Sequence, residues 1–272
     1  MSSNSASPQP VVLVEPTNER PVKIEIEAGV GVITMHRPDQ RNAINPAMRR
    51  AIPNSIAELE AHESVQVMVL TGADPAFCAG LDLKVLGDTP SEILTGTAES
   101  SRPFPPRTKP LIGAINGVAI TGGFELALNC DFLIASEHAR FADTHARVGV
   151  MPGWGLTALL GDAVGRKRAR EISLTGNFVT ATEALTWGLV NRVVPHTELL
   201  ATTMQIAVDI ANNDQVGVKR MLTTYAEQES AALDQMWVLE GEAAADFATM
   251  TRPGADVAAR RDAIMERGRG QI

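Results

Sequence analysis

Residues 111–129 read LIGAINGVAITGGFELALN, and the class of the fold turns on them. Leu111 to Ile115 is an unbroken apolar run of strand length, Gly122-Gly123 punctuates it as a turn, and Phe124 to Asn129 suits a short helix. Outward from there the same grammar recurs. Val67 to Leu70, with Val65 as an extension across Gln66, reads as a buried strand ending at Thr71-Gly72. Phe132 to Ala135 reads as the next one. Upstream, Val22, Ile24 and Ile26 alternate with charges, and Gly29 turns the chain into Val30 to Met35, which predicts a hairpin. A helix follows: Asn45 is a favourable N-cap, Pro46 suits the first helical position, and Met48, Ile52, Ile56 and Leu59 recur at helical spacing. Pro53 lies inside that pattern and predicts a kink or a restart.

Strands alternating with helices predict an α/β domain. Beyond about Pro195 the strand signal ends. Leu199, Thr203, Ile206 and Ile210 mark one helical face, and Val216 to Phe247 is helix-compatible throughout. Residues 1–15 are expected to be a flexible tail, 16–195 the α/β core and 196–272 a helical C-terminal segment. No fixed-period repeat is visible.

Composition narrows the function classes. A chain of 272 residues with 44% apolar and 21% charged residues supports a substantial globular core. Its formal charge of −8, from 24 Lys+Arg against 32 Asp+Glu, argues against nonspecific nucleic-acid binding. Pro110 to Phe124 is the longest uncharged apolar-leaning run, too short for the ~20 residues that cross a bilayer, so no membrane span is expected. The polar N-terminus lacks the basic start and apolar stretch of a signal peptide, which makes the cytoplasm the default compartment. Cys78 and Cys130 cannot form a disulfide framework, and the five histidines show no metal-ligand spacing.

Three segments combine strand ends, glycines and polar groups: Ala76 to Lys84, Asn116 to Glu125 and Phe141 to Pro152. Ligand groups of α/β proteins gather at the carboxyl ends of strands. In the first, small residues around Gly80 allow close approach of a ligand and leave the Leu81 amide free to donate, although an ordinary turn before a helix starting near Leu81 has the same sequence. In the second, paired glycines at a helix start present unsatisfied amides and a positive dipole end to developing negative charge. Glu125 lies beside that seat. An acid in the first turn also stabilises a helix by ~0.3–1 kcal/mol with no functional role.

Taken together, these segments resemble the crotonase superfamily, the enoyl-CoA hydratase/isomerase family. Arg41-Asn42-Ala43-Ile44-Asn45 is similar to its early coenzyme A-contacting motif, Ala76 to Lys84 to its first oxyanion motif and Asn116 to Asp131 to its second. Val148 to Gly155, Leu174-Thr175-Gly176 and Ala181 to Val194 follow in the family's order. The resemblance spans roughly residues 22–195. It implies a crotonase-like spiral of ββα turns with a helical C-terminal trimerisation segment, assembled as a homotrimer or a dimer of trimers. It implies an acyl-CoA thioester as substrate, with coenzyme A entering as part of that substrate and no separate cofactor or metal.

Carried over by motif, the oxyanion donors are the main-chain amides of Leu81 and Gly122, and Glu125 matches one of the two catalytic glutamates of the hydratases. Losing one such donor in comparable sites costs ~10²–10³ in rate. The second glutamate's place, within the motif matching Phe141 to His145, is taken by His145. A carboxylate beside an imidazole favours ionised Glu and protonated His, so Glu125 serves as base and His145 as acid in this reading. The alternative for His145 is a plain hydrogen bond to a carbonyl. Asp143 either orients its ring or lies on the opposite face.

Arg41, Ala43, Ala79, Asp82, Leu83, Lys84, Val118, Thr144 and Gly149 complete the expected substrate and coenzyme A contacts. Cys78 reads as a packed side chain, and Trp154 as an acyl-pocket wall or a packing residue. Hydration of a 2-enoyl-CoA is the leading expectation. A double-bond isomerase or thioester hydrolase on the same scaffold, and a weakly catalytic acyl-CoA-binding subunit, are the alternatives.

Overall fold

The computed structural model describes residues 10–88, 102–250 and, further on, 261, 263, 265, 266, 269 and 270. Along the chain run β1 (Val11–Val14), β2 (Val22–Glu27), β3 (Val30–Met35), α1 (Pro46–Ala61), β4 (Val67–Gly72), β5 (Ala76–Cys78) and α2 (Leu83–Asp88). There follow β6 (Leu111–Ile115), β7 (Val118–Ile120), α3 (Gly122–Leu128), β8 (Phe132–Ser136), β9 (Arg140–Ala142) and α4 (His145–Val148). The remainder is α5 (Leu156–Val164), α6 (Arg166–Thr175), β10 (Val179–Thr180), α7 (Ala181–Trp187), β11 (Arg192–Val194), α8 (Leu199–Ala211) and α9 (Gln215–Met250).

Two sheets organise these elements. The larger has seven strands in the order β1-β2-β3-β4-β6-β8-β11, and the smaller has four in the order β10-β9-β7-β5. The β2–β3 hairpin is antiparallel, pairing Val22 with Met35 and Glu27 with Val30, and from β3 to β11 every pairing in the larger sheet is parallel. In each of β4-β5-α2, β6-β7-α3 and β8-β9-α4 the first strand enters the large sheet, the second enters the small one, and a helix follows. The fold is therefore a spiral of ββα turns. Its repeat is one of geometry, since the units differ in length, which explains why no sequence period announces it.

Strand alternation divides the core. Val30, Val32, Val67, Val69, Ile112 and Ala114 face α8, meeting Leu199 and Ala207. Their neighbours Ile33, Met35, Met68, Leu70, Leu111 and Ile115 face the other way, onto Met48, Ile52, Ile56 and Leu59 of α1 and onto Phe77 and Phe124. Parallel strands covered on both faces read as continuous apolar runs, as β4 does. Asn45 caps α1 by accepting a hydrogen bond from the Met48 amide.

Four expectations need correction. Residues 11–14, placed in the flexible tail 1–15, pair with β2 as an edge strand. Gly122 and Gly123 are the first residues of α3 rather than a turn ahead of it. The helix expected near Leu81 begins at Leu83, because Leu81 forms an isolated bridge to Ile44. Helix α1 runs unbroken through Pro53, its apolar face anchored on both sides of the proline by Met48, Ile52, Ile56 and Leu59. Among the described residues no helix is long and apolar enough to cross a membrane.

Asn42 ties the first site loop to the sheet. It is buried in a left-handed conformation (φ 55°), accepts a hydrogen bond from Arg37 N, and donates to Ala73 O and Ala76 O. Asn42→Ala is expected to destabilise the chain by ~2–4 kcal/mol, since buried main-chain groups lose their partners and alanine disfavours positive φ. Chemical denaturation checks this; a loss under ~0.5 kcal/mol, the range of neutral surface changes, contradicts it.

Candidate active site

Three loops follow strands of the smaller sheet and meet at their carboxyl ends. The first is held by a parallel bridge in which Ile44 N donates to Gly80 O (2.7 Å) and Asp82 N donates to Ile44 O (2.9 Å). Both bonds on that side are thus made by Leu81's neighbours, and the Leu81 amide faces away from Ile44. Gly80 is left-handed (φ 87°), and a side chain there would meet Ile120 O at 2.7 Å. The second loop opens α3, whose first amide, Gly122 N–H, precedes any intrahelical acceptor. Among the described residues neither amide donates to another group of the chain. Gly123 brings the two loops together: a Cβ there would lie 2.2 Å from Cys78 O, so only glycine lets α3 press so closely on β5.

Thr121, ahead of the free amide, holds a strained backbone (φ 53°, ψ −114°). Its hydroxyl is 2.5 Å from that of Thr144, tying the second loop to the third.

Behind these loops lies a buried chain of three ionisable side chains. Asp143 Oδ1 is 2.6 Å from His145 Nδ1 and also accepts from the His145 amide at 3.1 Å. His145 Nε2 is 3.5 Å from Glu125 Oε2. The other oxygen, Glu125 Oε1, accepts from Gly153 N (3.2 Å) and Trp154 N (2.7 Å). Burial alone would push the imidazole down, but its hydrogen bonds and charge interactions with Asp143 and Glu125 overcome this and push it up to about 10. Burial likewise works against an ionised Asp143, yet the His145 and Ser173 contacts hold it below the usual carboxylate range. His145 is therefore an imidazolium at neutral pH, flanked by acids on both nitrogens.

A cavity of about 540 Å³ opens in front of this chain. Of the expected contacts, Arg41, Ala43, Ala79, Leu81, Asp82, Leu83, Lys84 and Thr144 line it. Asp82 spends its carboxylate on Arg37 (3.0 Å) and on the Lys84 amide (3.2 Å), so it shapes the loop. Two expected contacts are not brought there. Val118 lines a second cleft of about 310 Å³ with His138 and Arg140, which shares Arg41 with the first, because it sits at the opposite end of β7 from Thr121. Gly149 is the left-handed C-cap of α4 (φ 86°), its amide returned to His145 O at 2.8 Å.

Gly122, Glu125 and His145 sit one layer behind the lining, where Trp154 and Ile44 cover Gly122: a Cβ on Gly122 would meet Trp154 Cζ3 at 3.5 Å and Ile44 Cδ1 at 3.4 Å. The Arg49 guanidinium lies 5.7 Å from the centroid of the Trp154 ring. Burial pushes the Cys78 thiol up to about 12, which removes it as a nucleophile.

Sequence reading missed Thr121, Arg147, Phe178, Arg261, Met265 and Arg269 in the lining, and the Gly153 and Trp154 amides. Arg261, Met265 and Arg269 recur every fourth residue, a helical spacing that could have flagged a shared face. Arg261 also donates to Leu83 O at 3.1 Å.

Residues 25–252 match the family model described as enoyl-CoA hydratase/isomerase. The chain is 38% identical over 242 residues to a probable peroxisomal enoyl-CoA hydratase 1 of Arabidopsis thaliana, covering 86% of this chain and 90% of that one. A crystal structure of an enoyl-CoA hydratase from Mycobacterium avium superposes with a TM-score of 0.79 at 46% identity, over 85% of this chain and 98% of the other. A monofunctional enoyl-CoA isomerase from M. smegmatis gives 0.65 at 32% identity, over 78% and 95%.

Proposed function

This chain belongs to the enoyl-CoA hydratase/isomerase family, and from that premise we propose that it adds water across the double bond of a 2-enoyl-CoA. The observation that carries the reading is the buried His145–Glu125 pair behind the free Gly122 amide, an acid and a base held side by side. Attack of water on Cβ drives electron density onto the thioester oxygen, and the Leu81 and Gly122 amides are assigned to receive it. Donors fixed in advance and out of water are most effective there.

Glu125 takes the proton from water as its oxygen bonds to Cβ. The His145 imidazolium delivers a proton to Cα, so the C=C bond is replaced by new C–O and C–H bonds. The two main-chain amides hold Glu125 Oε1 in place, and Asp143 keeps His145 charged. Coenzyme A enters as part of the substrate. Arg41, Lys84, Arg261 and Arg269, all in the cavity lining, are assigned to its phosphates. A homotrimer or dimer of trimers belongs to the same proposal, supported by Val216, Met221, Tyr225, Val238 and Leu239 exposed along α9.

Incubation with crotonyl-CoA tests the reaction: hydration removes the conjugated absorbance. Release of free coenzyme A would replace this reading with thioester hydrolysis. Tight binding without turnover would replace it with an acyl-CoA-binding role. A single acid–base pair also suits moving one proton between two carbons, and the isomerase neighbour favours that second reading. Conversion of a 3-enoyl-CoA to its 2-enoyl isomer without hydration would establish it.

A further inference from the structure

The segment 153–157, which runs from a loop through the Gly155 N-cap into the first turn of α5, is gripped by two carboxylates from distant parts of the chain. Glu125 takes the amides of Gly153 and Trp154. Glu240, deep in α9, takes those of Gly155 (2.6 Å) and Thr157 (2.6 Å), and the Thr157 hydroxyl as well. Glu240 is itself buried, 4% exposed, on a helix most of whose described side chains are open to solvent. A buried carboxylate is costly unless donors surround it, and among the described residues every donor to it comes from Gly155 and Thr157 at the start of α5. One turn earlier on α9, Trp237 packs on the same segment so closely that a Cβ on Gly155 would lie 2.1 Å from its ring.

These contacts divide the labour. Because Glu240 fixes Gly155 and Thr157, the two preceding amides are aimed at Glu125 Oε1, and Oε2 is left facing His145. We propose that Glu240 is a positioning residue, which through segment 153–157 at the start of α5 sets the orientation of the Glu125 carboxylate and so couples α9 to the acid–base pair. The inference rests on Glu125 acting as the base.

Glu240→Gln keeps the shape but turns an amide donor toward a donor. In the full chain it is expected to lower kcat for crotonyl-CoA hydration ~10-fold or more while KM changes less than about twofold, since a misaimed catalytic group costs rate rather than affinity. Thr157→Val, which removes only the hydroxyl donor, should show the same split at smaller size, and it carries the test if Glu240→Gln fails to fold. The His145 imidazole resonances of the substrate-free chain, assigned with His145→Gln, should move in both variants as the Glu125 contact alters. An unchanged kcat, or an equal loss in kcat/KM arising from KM with the His145 signals unmoved, would overturn the proposal. Should the wild-type chain not hydrate crotonyl-CoA, the functional reading fails by itself, while the imidazole signals still decide whether Glu240 orients Glu125.

Discussion

Glu125→Gln is expected to reduce kcat for crotonyl-CoA hydration by ~10²–10⁴, the range of a positioned general base, with KM within a few-fold of wild type. The substitution is close to isosteric. A glutamine carbonyl can keep the hydrogen bonds from Gly153 and Trp154, so the loop stays in place. What disappears is the carboxylate oxygen facing His145 and with it the capacity to accept a proton from water. The 540 Å³ cavity proposed for coenzyme A is lined by other residues, and Glu125 is not among them, so affinity is expected to be spared. A loss confined to kcat identifies an interaction made in the transition state. Turnover within about threefold of wild type would remove Glu125 from the mechanism. The sharpest control is binding of a saturated acyl-CoA by calorimetry, which should be indifferent to the change.

Much of this arrangement is legible in the sequence, and the illegible part has physical causes. The hairpin, β4, β6 and β8 are apolar runs long enough to declare themselves, and Asn45-Pro46 marks the start of α1. The smaller sheet does not. Its strands β5, β7 and β9 have three residues each, too few for a period, and they lie in the segments that read as site loops. The same shortness hides where Val118 lies: it shares a segment with Gly122 but starts the strand that Thr121 follows, and so lines the second cleft.

Asp143 posed a different difficulty. Spacing of two residues puts side chains on one face of a strand, yet β9 ends at Ala142 and α4 begins at His145, so neither periodicity governs the pair. Only the hydrogen bond to His145 Nδ1 settles the ring's orientation. Glu240 and the start of α5 meet through tertiary packing alone, which leaves no local trace in either segment.

Replacement of His145 separates a working acid from a structural imidazole. His145→Gln is expected to cut kcat by ~10²-fold or more, because it removes the proton donor for Cα, and to alter the pH profile. The sign follows from the raised value: His145 charged in the folded state supports both activity and stability at low and neutral pH. The stabilising contribution is complete below its ordinary 6.5 and is lost as pH rises through about 10. Asp143 runs the opposite way, contributing above its ordinary 3.8 and losing that contribution as acid protonates it. The wild-type rate should therefore decline as pH approaches 10, and that alkaline limb should be absent in His145→Gln. An alkaline limb identical in the two proteins would assign it to another group.

Restoring a carboxylate here is more demanding than one substitution. In His145→Glu the new acid falls beside Asp143, whose Oδ1 now lies 2.6 Å from the ring, and beside Glu125 on the other side. Three acids in a buried space cannot all ionise, so the single variant is expected to stay near the inactive level of His145→Gln. Combining it with Asp143→Asn removes one charge and leaves a side chain that can donate to the new carboxylate. That double variant should recover hydration by ~10-fold or more over His145→Gln, measured as loss of crotonyl-CoA absorbance. Recovery in the single variant alone would show that Asp143 does not govern the charge at this position.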